Sequence, residues 1–163
     1  MKAITPCLWF DDQGEDAANF YVSIFKNSKI KHISRYTEAG KEFHGKPVGS
    51  VMVVSFELNG QEYTALNGGP LFKLSEAFSL QVMCESQEEV DYYWENLSQG
   101  GDPSAQACGW LKDKFGVSWQ IIPIAFLELL KGPDAARTQR AMNAMFQMKK
   151  LDLAVLQKAA DEK

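Results

Sequence analysis

Histidine is almost missing from this chain: His32 and His44 are the only two among 163 residues. Cysteine is nearly as scarce, with Cys7, Cys84 and Cys108. An odd count with no CxxC spacing argues against a disulfide framework or a structural zinc site and suits a reducing cytoplasm, the location expected here. No apolar run approaches the roughly 20 residues that cross a bilayer, and the opening "MKAITPCLWFDD" meets acidic residues too early for a signal peptide. Basic clusters are missing too. Lys and Arg number 17 against 21 Asp and Glu, a net charge of −4, and Lys149–Lys150 is the nearest approach to a patch, so neither nucleic acid nor membrane is an expected partner. What remains is 45% hydrophobic and 23% charged, an ordinary globular balance. Folding at this length buries about two-thirds of the unfolded surface, so no metal or disulfide staple is required.

The hydrophobic pattern reads twice. "AITPCLWF" is strand-like, and "DDQGEDAANFYVSIFKN" then shifts to helical spacing, with Ala17, Phe20, Tyr21 and Ile24 apolar. Asp12 and Glu15 have the spacing of a capping box. "SKIKHISRYT" reads as an edge strand. "VGSVMVVSFELNGQEYTALNGG" is two strands about Asn59-Gly60, a type I′ hairpin signal. The second half repeats the scheme: "AFSLQVMC", a helix from the Ser86/Glu89 capping box with Val90, Tyr93, Trp94 and Leu97 apolar, then "SAQACGWLK", a turn through Asp113–Gly116, and "VSWQIIP". A shift of 74 residues lays Thr5 on Ser79, Leu8 on Val82, Phe10 on Cys84 and cap on cap, as a duplicated module would. The tail is helical, broken at Gly132-Pro133, with a stripe of Met142, Met145 and Phe146 that suits core packing or an oligomer contact.

Little else in the sequence carries chemistry. Cys7 has no neighbouring base to make it a nucleophile. The pairs Asp11-Asp12 and Glu88-Glu89 sit where helix N-termini attract carboxylates. "LNGGP" runs into proline and a loop, unlike the glycine-rich strand-to-helix turn of the common S-adenosylmethionine enzymes.

The opening "ITPCLWF", the hairpin "FELNGQEYTALNGGP" and above all "GWLKDKFGVSWQIIP" resemble the PhnB-like branch of the vicinal-oxygen-chelate superfamily, whose members often bear the name 3-demethylubiquinone-9 3-methyltransferase. The resemblance implies an α+β fold of two βαβββ modules forming a cupped mixed sheet, about 1–75 and 76–123, with 124–163 a helical extension packed on the same domain. It also implies a homodimer enclosing a pocket. Metal-dependent relatives hold a divalent ion at four positions that carry over to Thr5, a residue near Asn67 (or Ala65), Ser79 and Gln120. Two hydroxyls and two amides are poor donors for such an ion, so no metal and no other cofactor is expected. The expected ligand is a small organic molecule in a neutral aromatic pocket lined by Thr5, Cys7, Trp9, Asn67, Ser79, Gln81, Trp110, Ser118 and Gln120. Gln120 would either bind that ligand or pair a neighbouring polar group. Three alternatives stand beside this reading: a metal-dependent lyase, isomerase or dioxygenase with other ligands, the methyltransferase of the family name, and an interaction module without ligand.

Overall fold

The computed structural model describes residues 4–162 and divides into two compact units, Met1–Leu74 and Ser75–Lys163. The fold is α+β, with a four-stranded and a three-stranded mixed sheet and C-terminal helices.

In the first unit, β1 (Cys7–Phe10), β2 (Lys29–Arg35), β3 (Val51–Leu58) and β4 (Gln61–Asn67) form a sheet of order β1-β4-β3-β2, with β1 parallel to β4. Of the expected first strand, Ala3 lies outside the described residues. The β3–β4 turn has Asn59 at φ 45° and Gly60 at φ 83°, the two left-handed residues a type I′ turn demands. Helix α1 (Gly14–Ile24) buries Ala17, Ala18, Tyr21 and Ile24. Leu8, Phe10, Val54, Phe56, Leu58 and Ala65 are the buried, alternating residues of the strands.

The expected Asp12/Glu15 capping box does not form. Gln13 is the N-cap residue and makes no side-chain cap bond. Instead Asn67, 53 residues on, accepts the Gly14 N–H at 2.7 Å. Asn67 also donates to the Val51 carbonyl, and its own carbonyl accepts the Tyr36 hydroxyl. With Gln13 at the cap, Asp12 stands one position outside the helix, and the first N–H, that of Gly14, is met by an acceptor that the sheet already holds in place.

The second unit repeats the plan with one strand fewer. Strands β5 (Leu80–Cys84), β6 (Trp110–Lys112) and β7 (Ser118–Pro123) take the order β5-β7-β6, again with a parallel pair, β5 and β7. Helix α3 (Gln87–Leu97) follows the four-residue helix α2 (Lys41–His44) in chain order and buries Val90, Trp94 and Leu97. Its local cap is present: Ser86 accepts the Glu89 N–H, and the Glu89 carboxylate accepts the Glu85 N–H at 2.8 Å. Helices α4 (Ile124–Leu130), α5 (Ala135–Met145) and α6 (Leu153–Asp161) enclose a cluster of Phe126, Leu129, Ala141, Leu151, Leu156 and Ala160. Met145 and Met148 pack against that cluster, whereas Met142 and Phe146 are exposed. The extension is bound to the module by backbone bonds, since the Met148 and Lys149 carbonyls accept the N–H groups of Cys108 and Gly109.

The segment "DKFGVSW" is a side-chain-built turn. Asp113 is 3% exposed; its Oδ1 accepts the N–H groups of Phe115 and Val117, and its Oδ2 accepts the Trp119 indole N–H at 2.8 Å. A carboxylate gathering three donors fixes the β6–β7 geometry and so the position of Gln120.

Candidate functional site

Each sheet has one face on its helix and one face turned away. In the second unit the latter carries two cross-strand rows. Gln120 lies between Gln81 on β5 and Trp110 on β6. Ser118 stands opposite Lys112, and Ser79 is the residue immediately before β5. The amides are chained: Gln81 Nε2 donates to Gln120 Oε1 at 3.3 Å, and Gln120 Nε2 donates to Ser79 Oγ at 2.7 Å. The relay is directional and ends on a hydroxyl whose own hydrogen is left to donate onward. Trp110 and Gln120 are half-buried and Gln81 exposed, which lets a ligand reach both indole and amide. Ser118 is 3% exposed and its Oγ has no hydrogen-bond partner. Lys112 pairs with the Glu76 carboxylate, which holds that acid below the ordinary carboxylate range.

In the first unit the corresponding face carries Cys7, Thr64, Ser55 and His32 in one row across all four strands, and Trp9, Leu66, Val53 and Ser34 in the next. Cys7 and Gln81 are related by the 74-residue repeat, and their partners are Thr64 and Gln120. Thr64 is therefore the counterpart of Gln120. Sequence reasoning pointed to Asn67 or Ala65 instead, because the parallel β1–β4 register has no local signal; the β3–β4 half of it could have been counted from Asn59-Gly60.

The structure brings Ser79, Gln81, Trp110, Ser118 and Gln120 together on one face, and Cys7 and Trp9 on another. Thr5 is exposed ahead of β1. Asn67 stands apart, buried and committed to the α1 N-terminus. Trp9 is pinned, its indole donating to the Gly69 carbonyl at 2.8 Å with Phe72 edge-on at 4.9 Å. A side chain at Gly68 would meet the Trp9 ring at 2.2 Å, so the glycine pair of "LNGGP" is there to admit the indole.

The thiols are poorly set for nucleophilic work. Burial raises Cys7, and burial with the nearby Glu89 pushes Cys84 up to about 12. His44 is occupied structurally: its Nδ1 accepts the Lys46 N–H, and its ring lies 4.5 Å from Tyr36. Among the described residues no group of three His, Cys, Asp or Glu side chains is placed to hold a metal ion. No helix among them is long and apolar enough to cross a membrane.

The profile of the family described as 3-demethylubiquinone-9 3-methyltransferase matches residues 2–122. The PhnB protein of Bacillus cereus, which carries the same methyltransferase description, is 38% identical over 75% of this chain and 99% of its own, with a TM-score of 0.64. Protein PA1353 from Pseudomonas aeruginosa shares the fold at 18% identity, covering 76% of this chain and 98% of its own, with a TM-score of 0.58. So does the fosfomycin resistance protein FosX from Listeria monocytogenes, at 19% identity, 80% and 97% coverage and a TM-score of 0.53. Comparison with curated proteins gives no match. The family match ends at residue 122, so α4, α5 and α6 lie beyond it. The chain belongs to the 3-demethylubiquinone-9 3-methyltransferase family, with the PhnB protein of Bacillus cereus among its relatives.

Proposed function

We propose that this chain binds a small organic molecule through hydrogen bonds and aromatic contact, without a divalent metal, on the sheet face that carries Gln120. The observation behind this reading is the directional Gln81–Gln120–Ser79 relay beside Trp110. The two amides orient one another on a face that a ligand can reach, while the Ser79 hydroxyl hydrogen and the adjacent indole are left to meet it.

One FosX structure is a complex with Mn(II). The donors this chain offers at the repeat-related positions, Thr5 and Thr64 in the first unit and Ser79 and Gln120 in the second, are neutral hydroxyl and amide groups. They do not suit a divalent ion, which is held by imidazole, thiolate or carboxylate, so no step is routed through a metal. The family description names methyl transfer. The glycine pair after β4 fits a S-adenosylmethionine site no better, because the space beside Gly68 is filled by the Trp9 ring and the next element after β4 is the strand β5, not the helix that follows the glycine-rich turn of the common enzymes of that kind.

The protein is proposed to act as a cytoplasmic homodimer. Native mass spectrometry after incubation with zinc, manganese and iron tests the metal and the assembly together. A metal-free dimer mass supports the reading; one metal per chain, lost in Gln120→Leu, overturns it in favour of a chelate-type enzyme. In the ligand arm, saturation-transfer NMR with benzamide gives a signal that Gln120→Leu removes, and an undiminished signal counts against the site.

A further inference from the structure

We infer that Glu76 occupies the place of a ligand's carboxylate, and that the molecule this site takes is a small carboxylic acid bearing a flat or apolar body. The inference rests on the proposed site and assigns its ligand class. Four observations carry it. Ser118 is 3% exposed, and its hydroxyl has no partner, so a donor has been carried into the protein with nothing to receive its hydrogen. Directly opposite in register is Lys112, and strand alternation puts the two side chains on the face of Gln120 and Trp110. Lys112 is partly buried, with 28% of its side chain exposed, and its cation is met by Glu76, whose side chain is 60% exposed. Glu76 lies on Ser75–Ser79, a stretch without helix or strand.

Besides Lys112, the Glu76 carboxylate takes only a bond local to this stretch, from its own backbone N–H. Ser79 accepts from Gln120, and Phe78 donates to the Ser75 carbonyl at a long 3.4 Å. An exposed carboxylate on an irregular segment is a weak, displaceable partner for a half-buried ammonium. When Glu76 swings out, Lys112 presents its charge, Ser118 its unpaired hydroxyl and Gln120 the amide hydrogen not given to Ser79, within two adjacent rows of the sheet. Such a trio of donors with one positive charge suits a carboxylate. Trp110, one row along, receives the body of the molecule. Occupation by ligand satisfies Ser118, which Glu76 leaves unpaired.

The test compares sodium benzoate with benzamide, its neutral counterpart, by isothermal titration and Trp fluorescence on the full chain. Glu76→Gln removes the internal competitor and is expected to tighten benzoate about tenfold, the gain for a site that its own carboxylate fills about nine-tenths of the time. Benzamide is expected to change less than about twofold. Lys112→Met in the Glu76→Gln background abolishes the gain, and Ser118→Ala reduces it while melting shows both variants folded. Benzoate no tighter in Glu76→Gln, or benzamide tightened equally, overturns the carboxylate assignment. If benzamide still binds and depends on Gln120, the site itself stands; if neither compound binds any variant, both readings fall.

Discussion

The two modules begin their helices by opposite means. Helix α3 is capped from within, by Ser86 three residues before the N–H it accepts, whereas α1 is capped across the fold by Asn67. The hairpin turns are both local but use different devices. The β3–β4 turn is a backbone device, Asn59-Gly60 in the left-handed region, and the β6–β7 turn is a side-chain device centred on Asp113. One topology is thus held by two sets of residues. The related positions Thr64 and Gln120 occupy the same register but different chemistry, and only the second sits in an amide relay. The two modules share strand pairing and differ in the side chains that line it.

The sharpest contrast is between the turns. Asp113→Ala leaves two backbone N–H groups and the Trp119 indole without their buried acceptor, and is expected to cost about 3–4 kcal/mol. Asn59→Ala, which asks alanine to adopt a positive φ, costs about 1 kcal/mol. Urea unfolding of the two variants measures the gap, and equal losses would show that the turns are equivalent after all.

Next comes Gly68→Ala. A methyl at that position drives into the Trp9 ring and is expected to destabilise by about 2–3 kcal/mol. Near-ultraviolet circular dichroism should register the displaced indole. The second module has no such indole-on-glycine contact among its described glycines, so the effect belongs to the first.

The caps follow. Asn67→Ala loses an acceptor for Gly14 and a donor to Val51, about 2 kcal/mol, against about 1 kcal/mol for Ser86→Ala. Hydrogen exchange distinguishes them further: Ser86→Ala loosens the first turn of α3 alone, while Asn67→Ala loosens α1 together with the end of β4.

The smallest effect is electrostatic. Hydrogen bonds from Lys150 and Gln87 hold Asp91 below its ordinary 3.8, and so help fasten the extension to α3. A depressed folded pKa contributes stability that is present above 3.8 and lost as pH falls through the lower folded value. Thermal melts on the acid side should show that loss flattened in Asp91→Asn. Unchanged acid sensitivity would mean that the extension is held without the Asp91–Lys150 pair, by its apolar cluster, its backbone bonds and the Gln87 amide, which donates to the Leu151 carbonyl and accepts the Leu153 N–H.

Much of the fold was legible because its signals are local. Alternation marked the strands, Ala17, Tyr21 and Ile24 marked α1, Val90, Trp94 and Leu97 marked α3, and Asn59-Gly60 marked a hairpin that needs two left-handed residues. The Ser86 cap was visible for the same reason: its donor lies three residues away. The Asp12/Glu15 box has equal local merit yet does not form, since the helix starts at Gly14 with its N–H on Asn67 of β4, a partner invisible to any short window. Of the candidate site, Ser79, Gln81, Trp110, Ser118 and Gln120 could be assigned to one face by alternation and resemblance, whereas Thr64 could not, and Glu76 attracted no notice on an irregular stretch.

Periodicity, turn chemistry and the repeat of 74 residues were enough to specify the elements and their order, because each depends on backbone preferences over a few residues. Register was settled elsewhere. Cys7 meets Thr64, and Gln81 meets Gln120, through parallel pairings between strands far apart in the chain, where a slip of one residue would turn every side chain to the opposite face. Whether Asn67 caps a helix, whether Ser118 is buried without a partner and whether Glu76 reaches Lys112 are all consequences of that register, fixed when the sheets close against their helices.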